Sequence, residues 1–298
     1  MNDIDIDIVI PSAGRLPDLQ RLLRSLYSCC GASMPGGVAS ITVTDDRYTA
    51  AEAEQLAAEF PGVRYIGGPA RGPAANRNHG ARQGQAAWVL FLDDDCYLES
   101  DLLQAYRDQA AQNPQCDVLE GAIHPVGPRP NGNHHAPLNL QGGCLWSCNM
   151  MVRRQMLQRV GGFDEQFPFA CMEDVDLRER LQAASAQVGF APGAVVFHPW
   201  RSISELELTR QIISHAIYAA KHPAFAKSWT PLHALRMVKG RLRLYAAGGF
   251  GTIPWAKYRT VAYDLAAPIA LLAVTRVAPL RSSVHQRYRN NPLKPVRA

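Results

Sequence analysis

Short apolar runs alternate with segments of helical spacing along the first hundred residues. Residues 7–10, an aspartate followed by three apolar residues, predict a buried strand, and leucines recur at helical spacing over 16–26. A β-branched run at 39–44 and a short run at 63–66 predict two more strands. The five apolar residues at 88–92 are typical of a parallel strand covered on both faces. This order of strands and helices predicts an α/β fold built on a doubly wound sheet.

Beyond residue 95 the pattern is less regular and becomes helical toward the end. Residues 125–140 are rich in proline, glycine and asparagine and predict a long loop, a type of segment that is often functional. We expect a domain of residues 1–200 followed by a mainly helical region of residues 201–298. The remaining predicted elements are helices at 49–60, 74–83, 100–112, 173–184, 206–220, 232–246 and 258–277, and strands at 118–123, 145–152 and 194–197.

Composition excludes several classes of protein. The chain has 298 residues, of which 47% are hydrophobic, so it can bury a core and is not globally disordered. No apolar run approaches the roughly 18–20 residues of a membrane-spanning helix. The N-terminus is acidic and alternating, unlike a signal peptide, and the seven cysteines include no C-x-x-C pair. We therefore expect a cytoplasmic protein, at most peripheral on the inner face of the membrane.

Charge is distributed unevenly between the two regions. Residues 1–200 carry a net charge of −8, whereas residues 201–298 carry +13. The basic region is either a solvated helical cap or a contact with an anionic membrane surface or a phosphate-bearing ligand. A helix over 232–246 would place basic residues on one side and apolar residues on the other: Arg236, Lys239, Arg241 and Arg243 against Leu232, Leu235, Leu242 and Tyr245.

Three adjacent carboxylates, Asp93, Asp94 and Asp95, directly follow the apolar strand at 88–92. In an open α/β sheet this carboxyl end of the strand is where ligands bind. Adjacent acids repel one another unless a cation lies among them, and their hard oxygens favour Mg²⁺ or Mn²⁺. The alternative is a polar turn that caps the next helix.

Other candidate groups each have a structural alternative. Asp45 and Asp46 end another strand, where either could cap a helix. Glu173 and Asp174 open a helix, where the dipole favours acids, although a carboxylate there could also act as a general base. His198 ends a short strand, and a single histidine is more often structural than a ligand.

Taken together and in this order, the motifs resemble those of the family 2 glycosyltransferases of GT-A fold, over residues 5–200. The motifs are Ile8-Val9-Ile10-Pro11, Val43-Thr44-Asp45-Asp46, Gly72 with Asn76-Arg77-Asn78 and Gly80, Phe91-Leu92-Asp93-Asp94-Asp95, Gly161-Gly162-Phe163-Asp164-Glu165, and Glu173-Asp174-Val175-Asp176-Leu177. The chain departs from the family at Arg47-Tyr48, where Gly-Ser is usual, and at Asn76, where alanine is common. It also lacks the Gln-x-x-Arg-Trp motif of the processive synthases.

The resemblance implies a GT-A fold, a Rossmann-like mixed central sheet with flanking helices, followed by the helical region. It implies metal-dependent, inverting and non-processive transfer of a sugar from a nucleotide-diphospho-sugar to a carbohydrate or lipid-linked acceptor. Asp174 would be the catalytic base, and Trp146 and Glu173 would contact the acceptor. The donor would contact Pro11, Arg15, Asp45, Arg77, Asp93 and Asp94. A magnesium or manganese ion would be held by Asp93, Asp95 and His198.

Two other functions stay open at this point. A sugar nucleotidyltransferase would use a phosphate loop after the first strand, of which Ser12 to Arg15 is a thin version. A non-catalytic carbohydrate- or lipid-binding module on the same fold is the second. A nucleic-acid partner is not expected, because acids crowd the sheet edge and no nucleic-acid motif is present.

Overall fold

The computed structural model describes residues 4–28, 38–98 and 102–290. The start of the helix predicted at Ser100 lies outside these ranges. The strands are β1 (Ile6–Ser12), β2 (Val38–Asp45), β3 (Val63–Gly67), β4 (Trp88–Leu92), β5 (Val118–Pro125), β6 (His134–His135), β7 (Asn149–Arg153), β8 (Val188–His198) and β9 (Arg201–Ser202). The helices are α1 (Leu16–Ser28), α2 (Ala50–Glu59), α3 (Pro73–Ala81), α4 (Leu102–Gln112), α5 (Arg154–Arg159), α6 (Glu173–Ala183), α7 (Glu205–Lys221), α8 (Pro223–Ser228), α9 (Pro231–Ala247), α10 (Tyr258–Arg276) and α11 (Ala278–Asn290).

The central sheet has seven strands in the order β3-β2-β1-β4-β7-β5-β8. β1 is parallel to β2 and β4, and β3 is parallel to β2. β7 runs antiparallel to both β4 and β5, and β8 is parallel to β5. The mixed sheet with flanking helices that the resemblance implies is therefore confirmed.

The two faces of the sheet build two cores. On β1 and β4, Ile8 and Leu90 belong to the core that includes α1 and α4, whereas Val9 and Phe91 belong to the core that includes α6. This alternation is the period of two that a strand imposes on its side chains. Because both faces are covered, β1 and β4 are apolar almost throughout, and polar groups collect where these strands end.

Parallel pairing brings the acidic strand ends to one edge. Ser12 at the end of β1 pairs in register with Asp45 at the end of β2. β4 lies on the other side of β1 and leads directly into Asp93. The clusters at Asp45 and Asp93 therefore share the carboxyl edge of the parallel strands.

The C-terminal helices pack on one another and on the first 200 residues. α10 packs on α7 and α9, and Ile217 and Tyr218 of α7 share an apolar cluster with Phe167. The expected boundary at residue 200 stays a prediction. In the described ranges, no single helix is long and apolar enough to cross a bilayer; Trp255–Arg276 and Ala278–Arg287 meet that requirement only as a pair, and they are bent by 91°.

Candidate active site

Helix α3 lies unusually close to its neighbours because of two glycines. Gly72, its N-cap, has φ of 94°, and a Cβ there would lie 2.2 Å from the carbonyl oxygen of Pro168. A Cβ on Gly80 would lie 2.5 Å from the side chain of Val9 on β1. A larger residue at Gly80 would push the helix away from the sheet, and one at Gly72 would clash with the backbone of Pro168. The two glycines of the motif thus place α3 directly against the site.

Three consecutive polar side chains of α3 connect separate parts of the site. The Asn76 side-chain amide donates to the carbonyl of Ser12 at 3.2 Å, at the end of β1. The Asn78 side chain donates to the Phe163 carbonyl at 2.8 Å and accepts from the Phe163 N–H at 2.9 Å, which fixes the Gly-Gly-Phe turn. Between them, Arg77 points at the carboxylates. All three are buried, so α3 carries a polar face inside the protein.

Arg77 joins the acid cluster after β4 to the first turn of α6. Its guanidinium donates to Asp93 at 2.7 Å and to Glu173 at 3.0 Å, and it lies 5.4 Å from the ring centre of Phe163. Only 2% of Arg77 is exposed. Burial raises the pKa of Asp93, but the adjacent Arg77 charge outweighs burial and holds that pKa below its usual value. Asp93 is therefore ionised at neutral pH.

Asp174 lies next to this bridge at the start of α6. Burial raises the pKa of Asp174, and the Arg77 charge opposes that rise. Its Oδ1 accepts from the Val175 N–H at 2.8 Å. Burial and the charge of Asp174 raise the pKa of Glu173 to about 8. A carboxylate with a raised pKa is a stronger base, and this is the property a general base needs.

A second cluster forms around Asp95. Asp95, Cys96 and His198 each offer a ligand atom, and these atoms lie within 4.8 Å of one another. Asp93 is not in this group, so the predicted metal set is brought together only in part. Arg201, on β9, donates to Asp95 Oδ2 through Nε at 2.8 Å. Sequence reasoning missed Arg201, because nothing local marks a partner 106 residues away.

The fit of a divalent cation can be judged from the donor atoms. Asp95 Oδ1 is buried and has no hydrogen-bond partner among the described residues. His198 Nδ1 donates to the Pro199 carbonyl at 2.9 Å, which orients the ring so that Nε2 lies 3.5 Å from Asp95 Oδ2. A hydrogen bond with Cys148, together with burial, raises the pKa of Cys96 well above its usual value, so this thiol is a poor ligand. The Asp95 carboxylate fits Mg²⁺ or Mn²⁺, whereas an imidazole ligand is more typical of softer metals.

Asp94 and Arg15 form a supporting pair. Asp94 is fully buried, and Arg15 donates to its Oδ2 at 3.0 Å through Nε. Burial, partly opposed by the Arg15 charge, raises the pKa of Asp94 to about 7. The phosphate loop on which a nucleotidyltransferase would depend therefore has its arginine bound to a carboxylate.

Asp45 is held in a cage of donors at the end of β2. Its carboxylate accepts from the Gly14 N–H at 2.9 Å, the Arg47 N–H at 2.6 Å and the Tyr65 hydroxyl at 3.0 Å. Pro11 lies buried in β1 beside it, paired with Thr44. Asp45 therefore fixes the position of the 13–15 turn and of the segment after β2.

The buried carboxylate of Glu120, which the sequence did not single out, holds the loop that leads to Trp146. Glu120 on β5 accepts from the backbone N–H groups of Gly143, Cys144 and Leu145 and from the side chain of Asn139. A charged residue within the apolar run at 118–123 was the available signal. This cage fixes the loop that leads to Trp146, which is half-buried against the core. Trp146 precedes β7 rather than lying on a strand, because the strand begins only at Asn149.

Four side chains expected to contact ligands are enclosed by the protein. Asp45, Arg77 and Asp94, expected at the donor, and Glu173, expected at the acceptor, are buried and paired with other groups of the chain. Their expected roles in ligand binding stay predictions. Asp93 and Asp174 remain partly exposed and available.

Comparison with known proteins identifies the family. Residues 7–172 match the family described as glycosyl transferase family 2. A pre-mycofactocin glycosyltransferase of Mycobacterium tuberculosis is 29% identical over 239 residues, covering 74% of this chain and 48% of the relative. An N-acetylglucosaminyl-diphospho-decaprenol L-rhamnosyltransferase of the same organism is 27% identical, covering 61% of this chain and 72% of the relative. The chain thus spans about half the length of the first of these relatives.

Solved structures share the fold. TarS 1–349 of S. aureus in complex with UDP has a TM-score of 0.52 and 15% identity, covering 96% of this chain and 91% of that one. The mannosyltransferase PcManGT of Pyrobaculum calidifontis, in complex with GDP-Man and Mn²⁺, has a TM-score of 0.51 and 14% identity, covering 97% and 76%. At these identities the likeness extends to the fold alone.

Proposed function

The chain belongs to glycosyl transferase family 2, and from that premise we propose that it transfers a sugar from a nucleotide-diphospho-sugar to an acceptor hydroxyl. The transfer is a single displacement that inverts the anomeric carbon. The observation that carries this proposal is the position of Asp174, next to the Arg77 bridge that connects Asp93 with Glu173.

Asp174 is the proposed general base. Its raised pKa, caused by burial and opposed by the Arg77 charge, makes it a stronger base than a solvated aspartate. It takes the proton of the acceptor hydroxyl as that oxygen attacks the anomeric carbon and the bond to the diphosphate breaks. Glu173 and Asp93 hold Arg77 in place and thereby set the charge that Asp174 experiences.

The proposed metal site uses Asp95 and His198, with Asp93 beside them. A bound Mg²⁺ or Mn²⁺ would neutralise the negative charge that develops on the leaving diphosphate. The unpartnered Asp95 Oδ1 and the Nε2 of His198 support this assignment.

The donor and acceptor are proposed as classes. Asp45 and Pro11 lie at the edge where a nucleoside would bind, and nucleotides in the structurally similar TarS and PcManGT complexes are compatible with this. The rhamnosyltransferase relative is named for an acceptor on a diphospho-decaprenol lipid, so a lipid-linked acceptor is favoured over a free glycan. Trp146 is the proposed stacking surface for an acceptor sugar ring.

The test is Asp174→Asn, with Asp108→Asn, an exposed aspartate of α4, as the matched control. Asp174→Asn should lower turnover by about 10²–10⁴-fold while nucleotide binding stays unchanged, because the amide cannot accept the proton. Asp108→Asn should retain both properties. Near wild-type turnover in Asp174→Asn would overturn the assignment of the base.

The reaction products distinguish this function from nucleotidyl transfer. Glycosyl transfer releases a nucleoside diphosphate, whereas a nucleotidyltransferase releases pyrophosphate. If pyrophosphate were released from a nucleoside triphosphate and a sugar phosphate, the proposed glycosyl transfer would be wrong and nucleotidyl transfer would take its place.

A further inference from the structure

Contrary to the prediction from the sequence, the basic and apolar residues of helix α9 do not lie on opposite sides of the helix. Arg241 and Tyr245, expected on opposite sides, both turn inward and bind the buried Asp264 of α10. Leu232, Leu235 and Leu242 turn outward, and Leu235 is 63% exposed. Three leucines on an exposed helix face are thus left uncovered by the part of the chain that the structure describes.

The exposed side of α9 also carries basic side chains. Arg236, Lys239 and Arg243 are exposed along the same side as the leucines. The chain has a single acidic residue after Glu207, and this residue is the buried Asp264. The exposed basic side chains of α9 therefore have no acid on their own helix, whereas Arg259 of α10 pairs with Glu205 of α7 at 3.1 Å.

Helix α10 adds a second uncovered apolar face. Ala262, Tyr263, Ala266, Ile269 and Ala273 recur at helical spacing and are exposed, with Ile269 at 60%. Trp255, in the connection between α9 and α10, is 86% exposed. Exposed apolar patches on this scale mark interaction sites more often than solvated surface.

We propose that these two helices dock on an anionic lipid surface. The α9–α10 surface comprises Leu232, Leu235, Arg236, Lys239, Leu242, Arg243, Trp255, Tyr263 and Ile269. Apolar side chains would enter the boundary between headgroups and acyl chains while the basic ones contact anionic headgroups. A tryptophan between the two helices is typical of the interfacial region. The charge favours lipid over a second copy of the chain, because two such surfaces would repel.

The α9–α10 surface is connected to the rim of the candidate active site. Tyr245 and Gly248 of the α9 segment pack against residues 131–132, and the Asn133 carbonyl accepts from the Ile203 N–H at 2.9 Å. Ile203 lies two residues from Arg201, which binds Asp95. Docking would therefore orient the Asp95 side of the site relative to the bilayer. This step rests on the proposed transfer to a lipid-linked acceptor.

The test is flotation of the full chain with vesicles of phosphatidylglycerol and phosphatidylcholine, and with phosphatidylcholine alone. At low salt, wild-type protein should float with the anionic vesicles, and 0.5 M salt should weaken this binding. The double variant Leu235→Gln/Ile269→Gln should lose at least about tenfold in partitioning. Val188→Gln, an exposed apolar position on β8, is the matched control and should float like wild type.

Each outcome decides the proposal. No flotation of wild-type protein at low salt, or equal flotation of the double variant, would overturn it. A dimer in light scattering that the double variant dissociates, without flotation, would assign the surface to self-association instead. Nucleotide-sugar binding without vesicles is measured in parallel: if it persists while flotation fails, only the docking proposal falls, and if flotation persists while it fails, the proposed reaction falls.

Discussion

The chemistry of the site depends on how single side chains share charge. Arg77, Asp93 and Asp174 could be selected from the sequence because family motifs mark each of them. Their pairing could not, since Arg77 contacts Glu173 across 96 positions of the chain. Arg201 and Glu120 were missed for the same reason: an isolated charged residue has no local pattern that names its partner.

Glu173 should make stability depend on pH. Its folded-state pKa of about 8 lies above the ordinary 4.5, so its stabilising contribution is complete below 4.5 and is lost as the pH rises toward 8. The unfolding free energy of wild-type protein should therefore fall more steeply than that of Glu173→Gln, by on the order of 1.4 kcal/mol per pH unit at most. Urea unfolding at pH 5 and pH 8 measures this. If wild-type protein and Glu173→Gln lost the same unfolding free energy between pH 5 and pH 8, the raised pKa of Glu173 would be contradicted.

Asp95 should control the response to metal. Asp95→Asn should remove most of the enhancement that Mn²⁺ gives to nucleotide binding, because the amide is a weaker ligand than the carboxylate. Calorimetric titration of the nucleoside diphosphate with and without Mn²⁺ measures the difference. The proposed site would be wrong if Mn²⁺ enhanced binding in Asp95→Asn as much as in wild-type protein and in Asp108→Asn.

At the scale of elements, prediction succeeded where one physical pattern dominates. β4 was predicted at its observed bounds, Trp88–Leu92, because both of its faces are buried and the run is continuously apolar. The first part of β8 was missed because its side chains are mostly exposed at the sheet edge. The short helices α5 and α8 were also missed, because six residues are too few to show helical spacing.

The joint between α6 and α7 is the cluster of hydrogen bonds that Arg180, Lys221 and His222 donate to Asp176. We expect this joint to affect both stability and catalysis. Asp176, fully buried on α6, accepts from Lys221 at 2.6 Å, His222 at 2.9 Å and Arg180 at 2.8 Å. Burial raises its pKa, but hydrogen bonds from Lys221 and His222 outweigh burial and leave that pKa lowered. Its contribution is therefore present at neutral pH and is lost as the pH falls through the lowered value.

Asp176→Asn should destabilise the protein by about 3–5 kcal/mol, because two cations lose a buried counter-charge. It should also reduce kcat more than KM for the donor, since α6 carries Asp174. Urea unfolding and steady-state kinetics measure both effects, with Asp108→Asn as the control. An unchanged kcat in a folded variant would show that the joint does not position the base.

At the scale of the molecule, the C-terminal helices should not unfold separately. The cluster of Phe167, Ile217 and Tyr218 and the Asp176 joint bind α7 to the catalytic half, and Tyr245 binds α9 to the loop before β6. Calorimetry should show one transition, and a chain ending at residue 204 should be much less stable because Phe167 and Asp176 lose their partners. Two well-separated transitions would instead favour an independent domain of residues 1–200.

The burial of Arg77 between Asp93 and Glu173 has a kinetic consequence. In the proposed reaction, one guanidinium would serve both the donor side and the acceptor side, so neither half could be perturbed in isolation. Loss of function at this position should not separate into a defect for one substrate or for the other. The Michaelis constants of both substrates and the maximal rate should change together when Arg77 is replaced. Arg77→Lys should also fail to restore them, because an ammonium group keeps the charge but lacks the planar guanidinium that bridges Asp93 and Glu173.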